Sequence, residues 1–232
     1  MDSSNPNAGH SLAVRMAELA RDIAAPRTLE DVLTDVTAAA VELIPAADVA
    51  GVLLIKGGGD FESVADTDGL AAELDQLQHD FDEGPCHDAA LKQTIVRTDD
   101  LRDEPRWPRY APAAVERGVL SSLSFKLYTA ERTAGALNLF SFKANVWDTE
   151  AETIGTVFAA HAASAIMAGR HGQQMQSALS TRDRIGQAKG IIMERYGVDE
   201  LRAFDLLRRL SQESQVKLID IAQGVIDTRS DD

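Results

Sequence analysis

The sequence has only one cysteine, Cys86, in 232 residues, so no disulfide can form within the chain. It also lacks any run that approaches the ~18 uncharged apolar residues of a membrane-spanning helix. The first segment, residues 1–10, has neither the basic stretch nor the apolar core of a signal peptide, and we expect it to be a disordered tail. These absences predict a cytoplasmic protein that does not associate with a membrane.

Catalytic and metal-binding patterns are absent as well. The five histidines show no paired metal-ligand spacing, and there is no second cysteine to complete a site. Cys86 and His87 are adjacent, but a nucleophile and its base are recognised by a geometry that adjacency does not supply. We therefore predict no enzymatic activity, no metal site and no cofactor. For Cys86 two interpretations stay open, a half-buried residue at a helix start or a redox-responsive thiol.

Positive charge is scarce, and its distribution along the chain is uneven. The net charge is −14, yet residues 173–232 hold nine Lys/Arg against ten Asp/Glu, whereas residues 1–172 carry a balance of −13. A sequence-independent binder of nucleic acid would have a net basic domain. Any nucleic-acid binding by this chain must therefore be local and selective for shape.

The periodicity of the apolar residues predicts an α+β arrangement, an antiparallel sheet flanked by helices, for the first two thirds of the chain. The predicted helices cover 12–23, the stretch from the cap Thr28 to Pro45, 70–78, a short segment opening near Cys86, and 111–116. The predicted strands cover 49–55, 61–65, 94–98, 120–129 and 135–142, with hairpin turns at 57–60 and 130–134.

A long helix follows Trp147, with a heptad seam on one side. Its positions alternate four and three apart: Ile154, Phe158, His161, Ala165, Ala168, Gly172, Met175 and Leu179. We expect the part up to Ala165 to pack on the sheet and the part after Ala168 to form a dimeric coiled coil. The predicted dimer seam comprises Ala165, Ala168, Gly172, Met175 and Leu179.

Beyond Leu179 the same seam becomes polar and small, at Arg182, Gly186 and Lys189. Such a stripe either faces a ligand or is a solvated helix face. Gly197 is expected to end this helix, and Asp199 to cap a second one. The side chains of the second helix that are predicted to point into the core are Leu201, Phe204, Leu207 and Leu210. A break at 213–215 is predicted before a third helix that begins at Leu218.

These C-terminal residues, from about Ser177 to Ile226, resemble the ANTAR domain, an RNA-binding antitermination module of bacterial regulators. The resemblance rests on Ala178-Leu179, Arg182, Ile185–Met193, Ala203-Phe204, Leu207-Arg208, Ser211, Lys217-Leu218 and Ile221-Ala222. The preceding part resembles a GAF sensory domain through Glu83-Gly84-Pro85-Cys86, Asp100-Leu101, Arg106-Trp107-Pro108, Ser121–Ser124 and Gly135–Leu139. The resulting domains are GAF-like over 11–167, a coiled-coil linker over 168–179 and an ANTAR domain over 177–228.

The resemblance implies an RNA-binding regulator that acts as a homodimer. Such proteins stabilise paired stem-loops with hexanucleotide loops in nascent leader RNA, which prevents terminator formation and affects RNA polymerase only indirectly. Unstacked bases and phosphates are read by basic, hydroxyl and amide side chains. The candidate RNA-binding residues are Arg182, Gly186, Lys189, Gly190, Arg208, Ser211, Gln212 and Lys217. The alternative is a ligand-sensing GAF protein whose helical tail binds a protein partner or DNA.

GAF domains often bind small molecules between the sheet and its loops, so a small-molecule ligand is implied here, without any residue that specifies it. Trp107, between Arg106 and Pro108, is the aromatic residue that could border such a ligand pocket. It either covers a pocket as part of a loop or fills the core on the face of the sheet.

Overall fold

A computed structural model of the protein describes Val14, Ala17, Glu18 and residues 28–56, 61–91, 94–128 and 133–228. The chain divides into two compact units, with the boundary between Gly169 and Arg170. The predicted tail at 1–10, the turn at 57–60, most of the turn at 130–134 and most of the helix at 12–23 lie outside the described residues. No helix in the described ranges is long and apolar enough to cross a membrane.

The first unit is a five-stranded antiparallel sheet with helices on both faces, which confirms the predicted α+β class. Among the described residues the strand order is β2-β1-β5-β4-β3. The strands are β1 Val49–Ile55, β2 Phe61–Val64, β3 Ile95–Thr98, β4 Ser121–Tyr128 and β5 Thr133–Ser141. The helices are α1 Leu29–Leu43, α2 Leu70–Phe81, α3 Pro85–Leu91, α4 Tyr110–Glu116 and the start of α5, Thr149–Tyr196.

Both faces of the sheet are buried. Since successive side chains of a strand point to opposite sides, each strand contributes to two cores. In β5, Leu137 and Leu139 contribute to the core that includes α1 and α5, whereas Ala136 and Phe140 contribute to the core that includes α2, α3 and α4. The second face also carries buried polar residues, among them Asn138 of β5. The core on one face of the sheet is thus apolar, and the core on the other face contains polar side chains.

Helix α5 lies directly against the apolar core. Asp148 precedes it and accepts a hydrogen bond from the Ala151 amide at 2.8 Å, which caps its first turn. Ile154 and Phe158 are buried in the core, as predicted. Packing explains why residue 155 is a glycine, since a Cβ there would lie 2.2 Å from Cζ of Phe125 on β4.

The second unit contains the end of α5, helix α6 Glu200–Ser214 and helix α7 Leu218–Asp227. Gly197 has a φ of +63° and ends α5, and the Asp199 carboxylate caps α6 by accepting from the Arg202 amide at 2.8 Å, both as predicted. Gln215 adopts a left-handed conformation and ends α6. The buried core is small, comprising Ala188, Ile192, Ala203, Leu207 and Ala222.

The predicted inward face of α6 was wrong for three of its four residues. Leu207 is buried, but Leu201, Phe204 and Leu210 are 80%, 38% and 50% exposed. Residues three apart on a helix differ in direction by about 60°, so four of them sweep across half of its circumference. A core of this size buries only a narrow stripe, and the small Ala203 is part of it.

Candidate functional site

An open groove of about 710 Å³ lies between α5 and α6 in the second unit. The α5 side presents Ala178, Thr181 and Ile185, and the α6 side presents the ring of Phe204. Two cations, Arg182 and Lys189, also line it. The groove therefore combines an aromatic ring, small side chains and positive charge. We name these residues, together with Ser177, the α5–α6 groove.

The two cations of the α5–α6 groove differ in how they are held. The Arg182 side chain is 79% exposed, and its Nε lies 3.9 Å from the Asp183 carboxylate, which is a loose ion pair. Lys189 is only 21% exposed, and its ammonium forms an ion pair with Glu200 at the start of α6. That hydrogen bond lowers the pKa of the Glu200 carboxyl. The lysine ammonium is thus positioned at the groove by its acidic partner.

The remaining predicted RNA-binding residues are distributed along α6 and the turn that follows it. Arg208 and Gln212 are exposed and follow Phe204 by four and eight residues, so they share its side of the helix. Ser211 is half-buried, and its hydroxyl donates to the Val216 carbonyl at 2.6 Å, which holds the turn before α7. Lys217, the next residue, is exposed at the start of α7.

The two glycines of the predicted RNA face are exposed on α5. A Cβ at Gly186 or Gly190 would meet no atom of the described residues within 4 Å. Unlike Gly155, these glycines have no packing role within the part of the chain that the structure describes. A glycine inside a helix costs roughly 1 kcal/mol relative to alanine. The backbone of α5 is therefore accessible at these two positions.

The predicted dimer seam is accessible in part. Met175 and Leu179 are 63% and 46% exposed, and Ala168 and Gly172 are exposed too. Ala165 is 4% exposed and lies in the core of the first unit, so it drops out of the seam. The reason is that the first unit still buries α5 at this position, one helical turn before Gly169.

The first unit contains a buried polar cluster between the sheet and helices α2, α3 and α4. The Asn138 amide donates to Asp75 Oδ1 at 3.2 Å, and Gln78 Oε1 accepts from the Cys86 amide at 2.8 Å. Gln78 Nε2, Tyr110 Oη and Ser124 Oγ are buried and find no hydrogen-bond partner among the described residues. Buried polar groups are normally paired, so this cluster is incompletely satisfied as it stands.

Burial sets the protonation of the cluster. It raises the pKa of Asp75 to about 7, with a smaller contribution from the charge of Asp66, while the nearby Ser63 hydroxyl and the hydrogen bond from Asn138 act in the opposite direction. Burial also raises the pKa of the Cys86 thiol well above its usual range. Cys86 is completely buried rather than half-buried, so its thiol is protonated and shielded from oxidants.

The Glu83-Gly84-Pro85-Cys86 segment builds one wall of this cluster. Glu83 caps α4, because its carboxylate accepts from the Arg109 amide at 2.9 Å and the Tyr110 amide at 3.3 Å. Gly84 makes room for Gln78, since a Cβ there would lie 2.3 Å from Oε1 of that side chain. A cavity of about 30 Å³ next to Asp75 and Gln78 has room for a water-sized molecule.

Trp107 belongs to the core on the second face of the sheet. It is 2% exposed, and its indole Nε1 donates to Asp88 at 3.1 Å. The Arg106 guanidinium lies 4.4 Å from the ring centroid on the outer side. Of the two interpretations left open by the sequence, the structure favours the filled core. Within the described ranges no group of His, Cys, Asp or Glu side chains is arranged to hold a metal ion.

The protein thus has two modules, an α+β unit with a polar interior and a small helical unit whose groove carries two cations and an aromatic ring. The chain belongs to the GAF domain family, whose profile matches residues 26–167, and an ANTAR domain matches residues 173–226. Both are regulatory domains, and their order is that of a GAF–ANTAR regulator. The general kind of protein is thus an RNA-binding regulator with a domain for signal input.

Several solved structures are similar to the larger part of the chain. A GAF domain of a phosphoenolpyruvate-protein phosphotransferase from Coxiella burnetii is 18% identical with a TM-score of 0.58, covering 70% of this chain and 96% of that one. Free methionine-R-sulfoxide reductase from Neisseria meningitidis is 15% identical with a TM-score of 0.53, covering 74% and 97%. These similarities show the fold alone. None of the curated proteins compared with the chain matches it.

Proposed function

We propose that this protein is a transcription antitermination regulator that, as a homodimer, stabilises paired hexanucleotide-loop stem-loops in nascent leader RNA and so prevents terminator formation. The observation that carries the proposal is the α5–α6 groove, in which Arg182 and Lys189 flank an exposed aromatic ring in an ANTAR domain. RNA loops are recognised through unstacked bases and phosphates, for which these side chains are suited. RNA polymerase is affected only through the RNA.

The ion pair between Lys189 and Glu200 supports a role for Lys189 in binding phosphate. The Glu200 side chain is 71% exposed, so a phosphate of the RNA can replace its carboxylate without burying an unpaired charge. Exposed ion pairs contribute little stability, and the exchange is therefore inexpensive for the fold. Arg208 and Lys217 extend the positive charge along α6 and to the start of α7.

Gly186 and Gly190 support a close approach of the RNA backbone to α5. Nothing within the described part of the chain requires their lack of a side chain. A phosphate or sugar that contacts the helix backbone would require it. We infer that the two glycines are kept for the ligand and not for the fold.

Two copies of the chain would bring two ANTAR units to two stem-loops. The exposed Met175 and Leu179 lie four residues apart on α5, as in a coiled-coil seam. The charge of −13 on residues 1–172 opposes close contact between the GAF domains, so the seam must outweigh that repulsion.

The dimer is tested by charges placed in the seam. Met175→Asp with Leu179→Asp should yield monomers in light scattering, because four carboxylates would meet in one dimer interface. Gln176→Asp with Ser180→Asp is the matched control, since it adds the same charge one residue further along the helix at exposed positions. If the seam variant remains a dimer, the interface lies elsewhere.

The GAF domain is the candidate for signal input. We infer that a small polar ligand binds at the buried cluster of Asp75, Gln78, Tyr110 and Ser124, whose unsatisfied groups offer both donors and acceptors. The cavity of about 30 Å³ is smaller than any metabolite, so binding requires α2 or the loops around it to move.

A gel shift tests RNA binding. The protein should bind a two-hairpin leader RNA more tightly than a single hairpin or duplex DNA. Lys189→Ala or Arg208→Ala should weaken this binding by about tenfold, and Arg208→Ala should also reduce the salt dependence by the equivalent of about one phosphate contact. Arg209→Ala is the matched control, because Arg209 is the adjacent exposed arginine on another side of α6.

The alternative function makes the opposite prediction. If the helical tail binds DNA or a protein partner, the two-hairpin RNA should have no advantage over duplex DNA. Equal and salt-labile binding to all nucleic acids would contradict the proposal. Equal effects of Arg208→Ala and Arg209→Ala would show that charge alone, and not this face of α6, matters.

A further inference from the structure

The ring of Phe204 is the one large aromatic surface in the α5–α6 groove, and its exposure needs an explanation. It is 38% exposed in a helix that buries Ala203 and Leu207 on the neighbouring side. A phenylalanine left partly in water forgoes part of the free energy that its full burial would supply. The second unit thus leaves part of Phe204 accessible at its surface.

We propose that the α5–α6 groove binds an unpaired nucleobase of the RNA, which stacks on the Phe204 ring. The inference rests on the proposed function and adds a residue that sequence reasoning assigned to the core. The groove, at about 710 Å³, is larger than a single base and is open on one side. A base inside a duplex is covered on both faces by its neighbours, so only an unpaired base can reach such a platform.

The surroundings of the ring match a nucleotide better than an apolar protein segment. Glu200 precedes Phe204 by one turn of α6, so its ion pair with Lys189 places the ammonium at the same end of the groove. Arg182 supplies a second, highly exposed cation. A base on the ring would therefore place its phosphates beside two cations, where they can replace the exposed carboxylates of Glu200 and Asp183, whereas an apolar peptide offers the cations no such exchange.

The other side of the groove supplies the shape and the polar groups. Ala178 and Ile185 of α5 are apolar and line the groove opposite α6, and Thr181 lies between them with a hydroxyl. Base edges are recognised by hydroxyl and basic side chains, while stacking itself is tolerant of sequence. Phe204 therefore supplies affinity for an unpaired base, and Thr181 and Arg182 are placed to contact its edge.

The test compares three variants in the full-length protein with the two-hairpin RNA. Phe204→Leu keeps an apolar side chain but removes the aromatic face, and we expect about a tenfold loss of affinity in fluorescence anisotropy. Phe204→Trp keeps the face and should retain the affinity. Leu201→Ala is the control, since Leu201 is 80% exposed on the same helix and does not line the groove. Circular dichroism verifies that each variant is folded.

The tryptophan variant gives a direct reading of stacking. Trp107 and Trp147 are 2% and 3% exposed in the first unit, so the added fluorescence of Phe204→Trp reports on the groove. RNA binding should quench it, as stacking on a base does. If the wild type binds the RNA but Phe204→Leu binds equally well and the added tryptophan is not quenched, the base-binding inference is wrong while the proposed function stands. If the wild type does not bind the RNA, the proposed function fails first.

Discussion

The carboxyl group of Asp75 makes the stability of the first unit depend on pH in an unusual direction. Asp75 is 4% exposed, and burial raises its pKa from 3.8 to about 7. Most carboxylates in folded proteins are stabilised in their charged form, so stability is lost towards acid. Here the protonated form is the favoured one, and stability is lost as the pH rises.

The size of the effect follows from linkage. Below pH 3.8 Asp75 is protonated in both the folded and the unfolded chain. Between that value and about 7 the unfolded chain releases the proton and the folded chain retains it, so unfolding becomes progressively easier. The whole shift corresponds to about 4 kcal/mol, of which more than half falls between pH 5 and pH 8.

The measurement is urea unfolding followed by tryptophan fluorescence, compared between the wild type and Asp75→Asn. Asparagine keeps the shape and an oxygen for the Asn138 amide, but it does not titrate. Both tryptophans of the chain, Trp107 and Trp147, are buried in the first unit, so the signal reports on that unit alone. The wild type should lose about 2–3 kcal/mol relative to the variant between pH 5 and pH 8.

Two outcomes would refute this reasoning. Parallel stability profiles of the wild type and Asp75→Asn across that range would mean that Asp75 is already ionised in the folded protein. A profile that falls towards acid in the wild type alone would mean that its pKa is lowered. Asp80→Asn controls for the loss of one charge, because Asp80 is exposed on the same helix.

Two substitutions of helix glycines separate a packing role from a binding role. Gly155→Ala should destabilise the first unit by about 1–3 kcal/mol in urea unfolding, because its Cβ would lie 2.2 Å from the Phe125 ring; Gly172→Ala, with no described atom within 4 Å, should not. Gly190→Ala should instead stabilise the second unit by up to about 1 kcal/mol in thermal unfolding and weaken RNA binding in a gel shift. RNA affinity unchanged by Gly190→Ala would remove the argument for close approach of the RNA to α5.

The elements of the fold were largely predictable, because periodicity and caps act locally. The strand Val49–Ile55 and the helix between the Thr28 cap and Pro45 were expected within a residue or two of their observed bounds. The order of strands in the sheet was not expected, since it depends on pairing between distant segments such as β1 and β5. The buried position of Ala165 depends in the same way on how far the first unit covers α5.

The candidate site was predictable in its charges and not in its aromatic residue. Arg182 and Lys189 follow from the change in character of the α5 seam, and both line the groove. Phe204 was assigned to the core because apolar side chains at a helical spacing usually pack inside. The sequence did contain an indication that Phe204 is exposed. It lies three residues from both Leu201 and Leu207, and a row of residues with this spacing winds around the helix, so it cannot be buried along its full length.

The alternation of β5 has a consequence for how the GAF domain could respond to a ligand. Asn138 faces the polar cluster, while its chain neighbours Leu137 and Leu139 pack in the opposite core together with Phe158 of α5. A new hydrogen bond at Asn138 that shifts the strand would therefore also shift Leu137 and Leu139, because each is joined to Asn138 by one peptide bond. No intervening side chain could rotate to absorb this shift. The sheet separates the two cores chemically but connects them mechanically.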